Sequence, residues 1–166
     1  MTDFAASPGP IAALETSPWG QLLNRCASRI IAADFVGIEG NVWILDPPAI
    51  TGIPKPAIIL SPFSPSHSPD WGTVTQPDIS LRIMAAIVKG GQSVVNETLA
   101  DRLDWYCQFF ELFAKHSARL AIDALGWKCL YTTCEPGDPR VVEAWQAQLD
   151  AEWLAINCYC RVPSTV

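Results

Sequence analysis

Between Ile79 and Val88 the chain alternates strictly: Ile79, Leu81, Ile83, Ala85 and Ile87 fall on one phase, Ser80, Arg82, Met84 and Ala86 on the other. A period of two places successive side chains on opposite faces of a strand, so this segment predicts a strand over about 79–88 with one fully apolar face and one mixed face. A second alternation closes the chain, with Leu154, Ile156, Cys158, Cys160 and Val162 set against Ala155, Asn157, Tyr159 and Arg161. Two long strands with an apolar side each require a layer that covers that side.

The cover is legible between them. Leu99, Leu103, Tyr106, Phe110 and Phe113 recur at steps of three and four, widened by Trp105, Phe109 and Leu112. Glu97, Asp101, Asp104, Gln108, Glu111 and Lys115 form the polar stripe opposite. This spacing predicts an amphipathic helix over about 96–116 packed on the sheet. Leu103, Phe110, Phe113, Ile83 and Ile156 are the expected core. A first helix over about 18–33 follows from Ser17-Pro18, a cap with proline at the first helical position, and from Trp19, Leu22, Leu23, Cys26 and Ile30.

The remaining segments are shorter. Val42–Leu45, Ala57–Leu60 and Lys128–Cys134 read as strands, Arg119–Leu125 as a short helical stretch, and Glu135–Pro139 as a turn. Residues 1–16, with Pro8, Gly9 and Pro10, read as an extended N-terminal arm. Residues 61–77, with four prolines and four serines, read as a projecting Pro-rich loop. The expected fold is α+β: a mostly antiparallel sheet of about four to five strands with two main helices packed on it, in one domain over 17–166.

Composition narrows the function classes. With 166 residues, 49% of them apolar, the chain can build a core without disulfide or metal staples. A formal charge of −6 disfavours a protein that wraps nucleic acid. The apolar runs are too short to cross a bilayer, and Met1–Phe4 carries no basic or long apolar leader, so no membrane partner is expected.

Catalytic chemistry finds little purchase. Cys129 and Cys134, with Cys158 and Cys160, could be drawn as four zinc thiolates, but neither pair has the spacing of a metal-binding knuckle. Core packing is the expectation; metal or disulfide is the alternative. His67 and His116 have no suggestive neighbours, and no phosphate-cradling glycine motif is present. No cofactor, no metal and no enzymatic activity are expected, a Cys107 or Cys134 nucleophile being the weakest alternative. The seven tryptophans carry more information. Trp71, Trp145 and Trp153 fall outside the apolar stripes, and with Pro62, Phe63 and Pro65 they are candidate interface residues. The alternative, that each tryptophan folds back on its own domain, stays open.

The order of these segments resembles the tail-terminator, or tail-completion, proteins of long-tailed bacteriophages. The stretches that carry it are Ser17–Ala33, Pro56-Ala57-Ile58-Ile59-Leu60, Ile79–Val88, Asn96–His116 and Trp153-Leu154-Ala155-Ile156-Asn157-Cys158-Tyr159. The resemblance spans about 17–162 and is one of order and pattern, without a diagnostic motif; the proline-dense stretch 47–77 is longer than the family's pattern. It implies a structural virion protein, assembled in the host cytoplasm, that forms a hexameric ring at the head-proximal end of the tail tube. Such a ring ends tube polymerisation and joins the tail to the neck. The implied partners are copies of itself, the tail-tube protein and a neck or connector protein, with DNA only passing through the lumen. A neck adaptor or other virion structural protein, and a cytosolic small-molecule-binding α+β domain, are the alternatives.

Overall fold

A computed structural model describes residues 8–35, 38, 40–45, 56–72, 77–88, 95–113, 126–136 and 151–163. The chain is α+β. Two helices, α1 (Pro18–Ala32) and α2 (Val95–Phe113), accompany five strands: β1 (Val42–Ile44), β2 (Ala57–Gly72), β3 (Pro77–Val88), β4 (Lys128–Pro136) and β5 (Ala151–Arg161). The strands form one sheet in the order β1-β2-β3-β5-β4. Only β1 and β2 run parallel; the other three pairings are antiparallel.

Local chemistry explains the first helix. Ser17 is extended and its hydroxyl accepts from the Gly20 amide at 3.1 Å, while Pro18 occupies the first turn. Gly20 is required sterically, because a Cβ there would stand 2.0 Å from the Leu14 carbonyl oxygen. Leu22, Leu23, Cys26, Ala27 and Ile30 are buried on the face turned to the sheet. Before the helix, residues 8–16 are not the extended arm expected. Ala12–Thr16 form a 3-10 turn, and the Gly9 amide donates to the Val42 carbonyl at 2.7 Å. Buried Asn24 ties this turn to α1, accepting from the Ile11 amide at 2.9 Å and donating to the Ile11 carbonyl at 2.8 Å and to Glu15 at 2.9 Å. A buried side-chain amide with its hydrogen bonds made holds a non-regular segment against a helix at little net cost. Residues 1–7 of the expected arm lie outside the described residues.

The alternations set the faces of the sheet. Leu81, Ile83, Ala85 and Ile87 of β3 and Leu154, Ile156, Cys158 and Cys160 of β5 join the side chains of both helices in one core. The opposite phase forms a second cluster on the outer face: Trp43, Leu45, Ala57, Ile59, Met84, Ala86, Val88, Trp153 and Ala155, with Phe63 packed against it.

Two further expectations are overturned. Of the stretch 61–77, residues 61–72 and 77 are not an irregular loop, since β2 continues to Gly72, β3 begins at Pro77, and the two pair along this length; residues 73–76 lie outside the described residues. The register shifts between Phe63 and Ser66 and between His67 and Gly72. Pro65 and Pro69 fall inside those two irregularities, which is where a residue without an amide proton fits a ladder. The second correction concerns α2. Trp105, Phe109 and Phe113 are buried, with Tyr106 and Leu112 packed beside them, whereas Leu103 is 56% and Phe110 37% exposed. Successive helical residues are turned by about 100°, so Phe110 and Leu103 lie roughly 100° or more from Phe109, and the sheet covers a single arc. The apolar arc of α2 is wider than the surface that receives it. Of the expected core, Phe113, Ile83 and Ile156 are buried.

Candidate functional site

The outer face of the sheet changes character along its length. Toward β1 it is the apolar cluster around Trp43 and Trp153. Toward the far ends of β3 and β5 it turns polar, because the phase that carries Met84 and Ala155 continues as Arg82 and Ser80 on β3, and as Asn157, Tyr159 and Arg161 on β5. Strand β4 adds Glu135, Thr133 and Tyr131 on the same phase, then, past a bulge, Lys128.

Register assembles these residues into rungs. Phe63, Arg82, Asn157 and Thr133 stand side by side across four strands. On the next rung Ser80 faces Tyr159, which faces Tyr131; the two tyrosine rings stack at 4.5 Å with planes 20° apart. The Asn157 amide donates to Thr133 Oγ1 at 3.3 Å and to Glu135 Oε1 at 3.0 Å. Its own Oδ1 is shut away from solvent without a partner, as are Ser80 Oγ and Arg82 Nε. The Arg82 side chain is half-buried and, among the described residues, makes no hydrogen bond or ion pair. A guanidinium so placed forgoes part of its hydration without a counter-charge among the described residues, an arrangement that an added acidic group would relieve.

The second unusual surface is on α2, across the sheet. Ala100, Leu103, Cys107 and Phe110 are all exposed. Their steps of three, four and three are those of a single apolar seam along a helix. Asp104 and Glu111, also exposed, run beside it.

Five of the six cysteines make a chemically quiet group, Cys107 being exposed. Cys26, Cys129, Cys158 and Cys160 are buried in the helix-side core. The neighbouring Cys129 and Cys26 thiols, together with burial, hold the pKa of the Cys158 thiol well above its ordinary value. Cys134 is pushed up to about 12 by burial and by the adjacent Glu135 charge. A thiol that resists ionisation is a poor nucleophile and a poor metal ligand. Among the described residues, no three His, Cys, Asp or Glu side chains are disposed to hold a metal ion.

Neither a protein-family model nor a curated protein matches this chain.

The residues singled out from sequence are dispersed. Phe63 and Trp153 share the outer-face cluster, Trp153 being only 6% exposed, so it packs within its own domain instead of projecting. Pro62 is half-buried and pairs with Ile83 on the helix-side phase. Pro65 and Trp71 lie within β2. Trp145, His116, the stretch Arg119–Leu125 and residues 137–139 of the expected turn lie outside the described residues. Arg82, Asn157, Tyr131 and Tyr159 are not among the sequence candidates. The signal available for them is the mixed phase of the two long strands, where a charged and an amide residue interrupt an otherwise small or apolar row.

Among the described residues, no helix is long and apolar enough to cross a membrane.

Proposed function

We propose that this chain is a structural virion protein that forms a ring at the head-proximal end of a phage tail tube, ends tube polymerisation and joins the tail to the neck. The reading rests on the order of elements, helix, short strand, strand pair, long helix and closing strand pair, over the stretches that resemble the tail-terminator family. One observation carries it: α2 keeps Leu103 56% and Phe110 37% exposed in line with Ala100 and Cys107, although its other side already supplies Trp105, Phe109 and Phe113 to the core. A helix apolar on its outward side as well as its inward one belongs to a surface that is covered on assembly. The raised pKa of Cys134 speaks against that thiol as a nucleophile. Ring neighbours, the tail-tube protein and a neck or connector protein are the partners in this reading, and DNA passes through the lumen.

The test is imaging of the chain in the assembled particle. Six copies are expected around the axis at the head-proximal end of the tube, each with α2 against another chain. Copies on the head side of the neck would assign the chain to an adaptor instead. Isolated copies on the capsid, or a protein absent from the particle, would sink the ring.

A further inference from the structure

We propose that α2 of one copy docks on the polar outer face of the sheet of a second copy, head to tail; the inference rests on the ring reading and names its contact. The helix offers the exposed seam Leu103, Cys107 and Phe110 with Asp104 and Glu111 beside it. The two carboxylates, seven residues apart, are separated by about 10 Å along the helix axis.

The receiving face is complementary in charge and in apolar surface. It carries Arg82, Lys128 and Arg161, three of the eleven basic residues of a chain whose net charge is −6, against Glu135, which already accepts a hydrogen bond from Asn157. Arg82 pairs across the sheet with Asn157, and Arg161 lies four residues further along the same strand, which spreads the cations over about 14 Å. Long basic side chains span the small mismatch with the acidic row. Half-buried Phe63 and the stacked Tyr131–Tyr159 pair supply flat apolar surface between the charges. Arg82 is the anchor, since its Nε is shut away from water without a partner, and a carboxylate of the neighbour would satisfy the guanidinium.

Geometry selects this pairing over the obvious rival. Two α2 seams packed antiparallel on one another would bring the Asp104 and Glu111 row against its own copy, which like charge opposes. Helix and receiving face lie on opposite sides of one sheet, so no copy can satisfy itself. The contact is heterologous, the type that propagates around a ring.

The experiment uses the full-length chain and a charge swap. Arg82→Glu and the double variant Asp104→Arg/Glu111→Arg are each expected to weaken self-association at least about tenfold, as loss of a close interfacial charge pair does. Mass in solution, across a concentration series, is the readout. An equimolar mixture of the two variants regains association, because the unaltered α2 of one meets the unaltered face of the other, and the carboxylate introduced at position 82 meets one of the guanidinium groups introduced on α2 at the alternate contact. Restoration also shows that both variants fold. If the wild-type chain assembles and neither variant weakens it, the docking is wrong and the ring stands. A wild-type chain still monomeric at about 1 mM has too little affinity for the contact proposed, and the docking falls while imaging of the particle judges the ring separately. Oligonucleotide binding by the wild-type chain that Arg82→Glu abolishes, with the mass of the assembly unchanged, would give the face to nucleic acid and overturn the proposal.

Discussion

The hydroxyl of Thr132 on β4 donates to the main-chain carbonyl of Phe113 in the last turn of α2, at 2.9 Å and out of reach of solvent. One buried hydrogen bond thereby sets the depth at which the end of α2 meets the edge of the sheet. Phe113 itself is fully buried, so the bond and the ring hold the same point from two directions. Thr132→Val keeps the shape and removes the donor, leaving the carbonyl unpaired. The expected cost is about 1–3 kcal/mol in urea unfolding, with Thr132→Ser losing much less. Equal midpoints for the wild-type and Thr132→Val chains would show that the carbonyl finds another partner.

Neighbouring phenylalanines on α2 are expected to behave differently. Phe109 is fully buried, 6.0 Å from the ring of Phe35 and 5.1 Å from that of Phe113. Phe109→Ala should cost about 3–5 kcal/mol. Phe110→Ala, measured on the dilute chain, should cost about 1 kcal/mol, because much of that ring already faces water. A larger loss at Phe110 than at Phe109 would reverse the orientation of the helix.

Glu15 and Arg25 form a two-pronged ion pair, at 2.8 and 3.2 Å, on a partly exposed surface. The Arg25 hydrogen bonds, helped by that of Asn24, hold the Glu15 carboxyl below its ordinary value of 4.5. A depressed folded-state value means stability that is complete above the unfolded value and lost as pH falls through the folded one. Glu15→Gln is therefore expected to cost less than about 1 kcal/mol at pH 7, as exposed pairs do, with the difference from wild type shrinking below pH 4.5. Urea midpoints collected from pH 7 down to the acid limb check this; a difference that stays constant throughout would deny the ionised pair its role.

Thiol reactivity should sort by position. Cys107 is the exposed cysteine, whereas Cys134 is pushed up to about 12 and Cys26, Cys129, Cys158 and Cys160 are buried. Brief alkylation of the native chain at pH 7, followed by peptide mass mapping, is expected to mark Cys107 first. Docking of α2 on a second copy would slow that reaction in the assembled ring. Faster labelling of Cys134 than of Cys107 in the dispersed chain would contradict the burial assigned to β4.

Much of this protein is determined by its sequence alone. The period of two over 79–88 dictates which side chains of β3 face the helices, and the same holds for Leu154, Ile156, Cys158 and Cys160, because a strand can present a residue only to one side. Ser17 and Pro18 likewise determine the start of α1 through local hydrogen bonding and a preset backbone angle. Other features depend on partners distant in the chain. Periodicity makes α2 amphipathic but cannot say whether Phe109 or Phe110 meets the sheet, since the apolar arc is wide enough for either and only the packed surface selects one. The prolines of 61–77 read locally as a loop; pairing with β3 across two register shifts drew them into a strand. Nor do Arg82, Asn157 and Tyr131 announce themselves, being ordinary polar residues 26–75 positions apart. Antiparallel pairing of β3 with β5 and of β5 with β4 brought them onto one face, because side chains become neighbours across a sheet through register, a property of the folded pairings and not of any single segment.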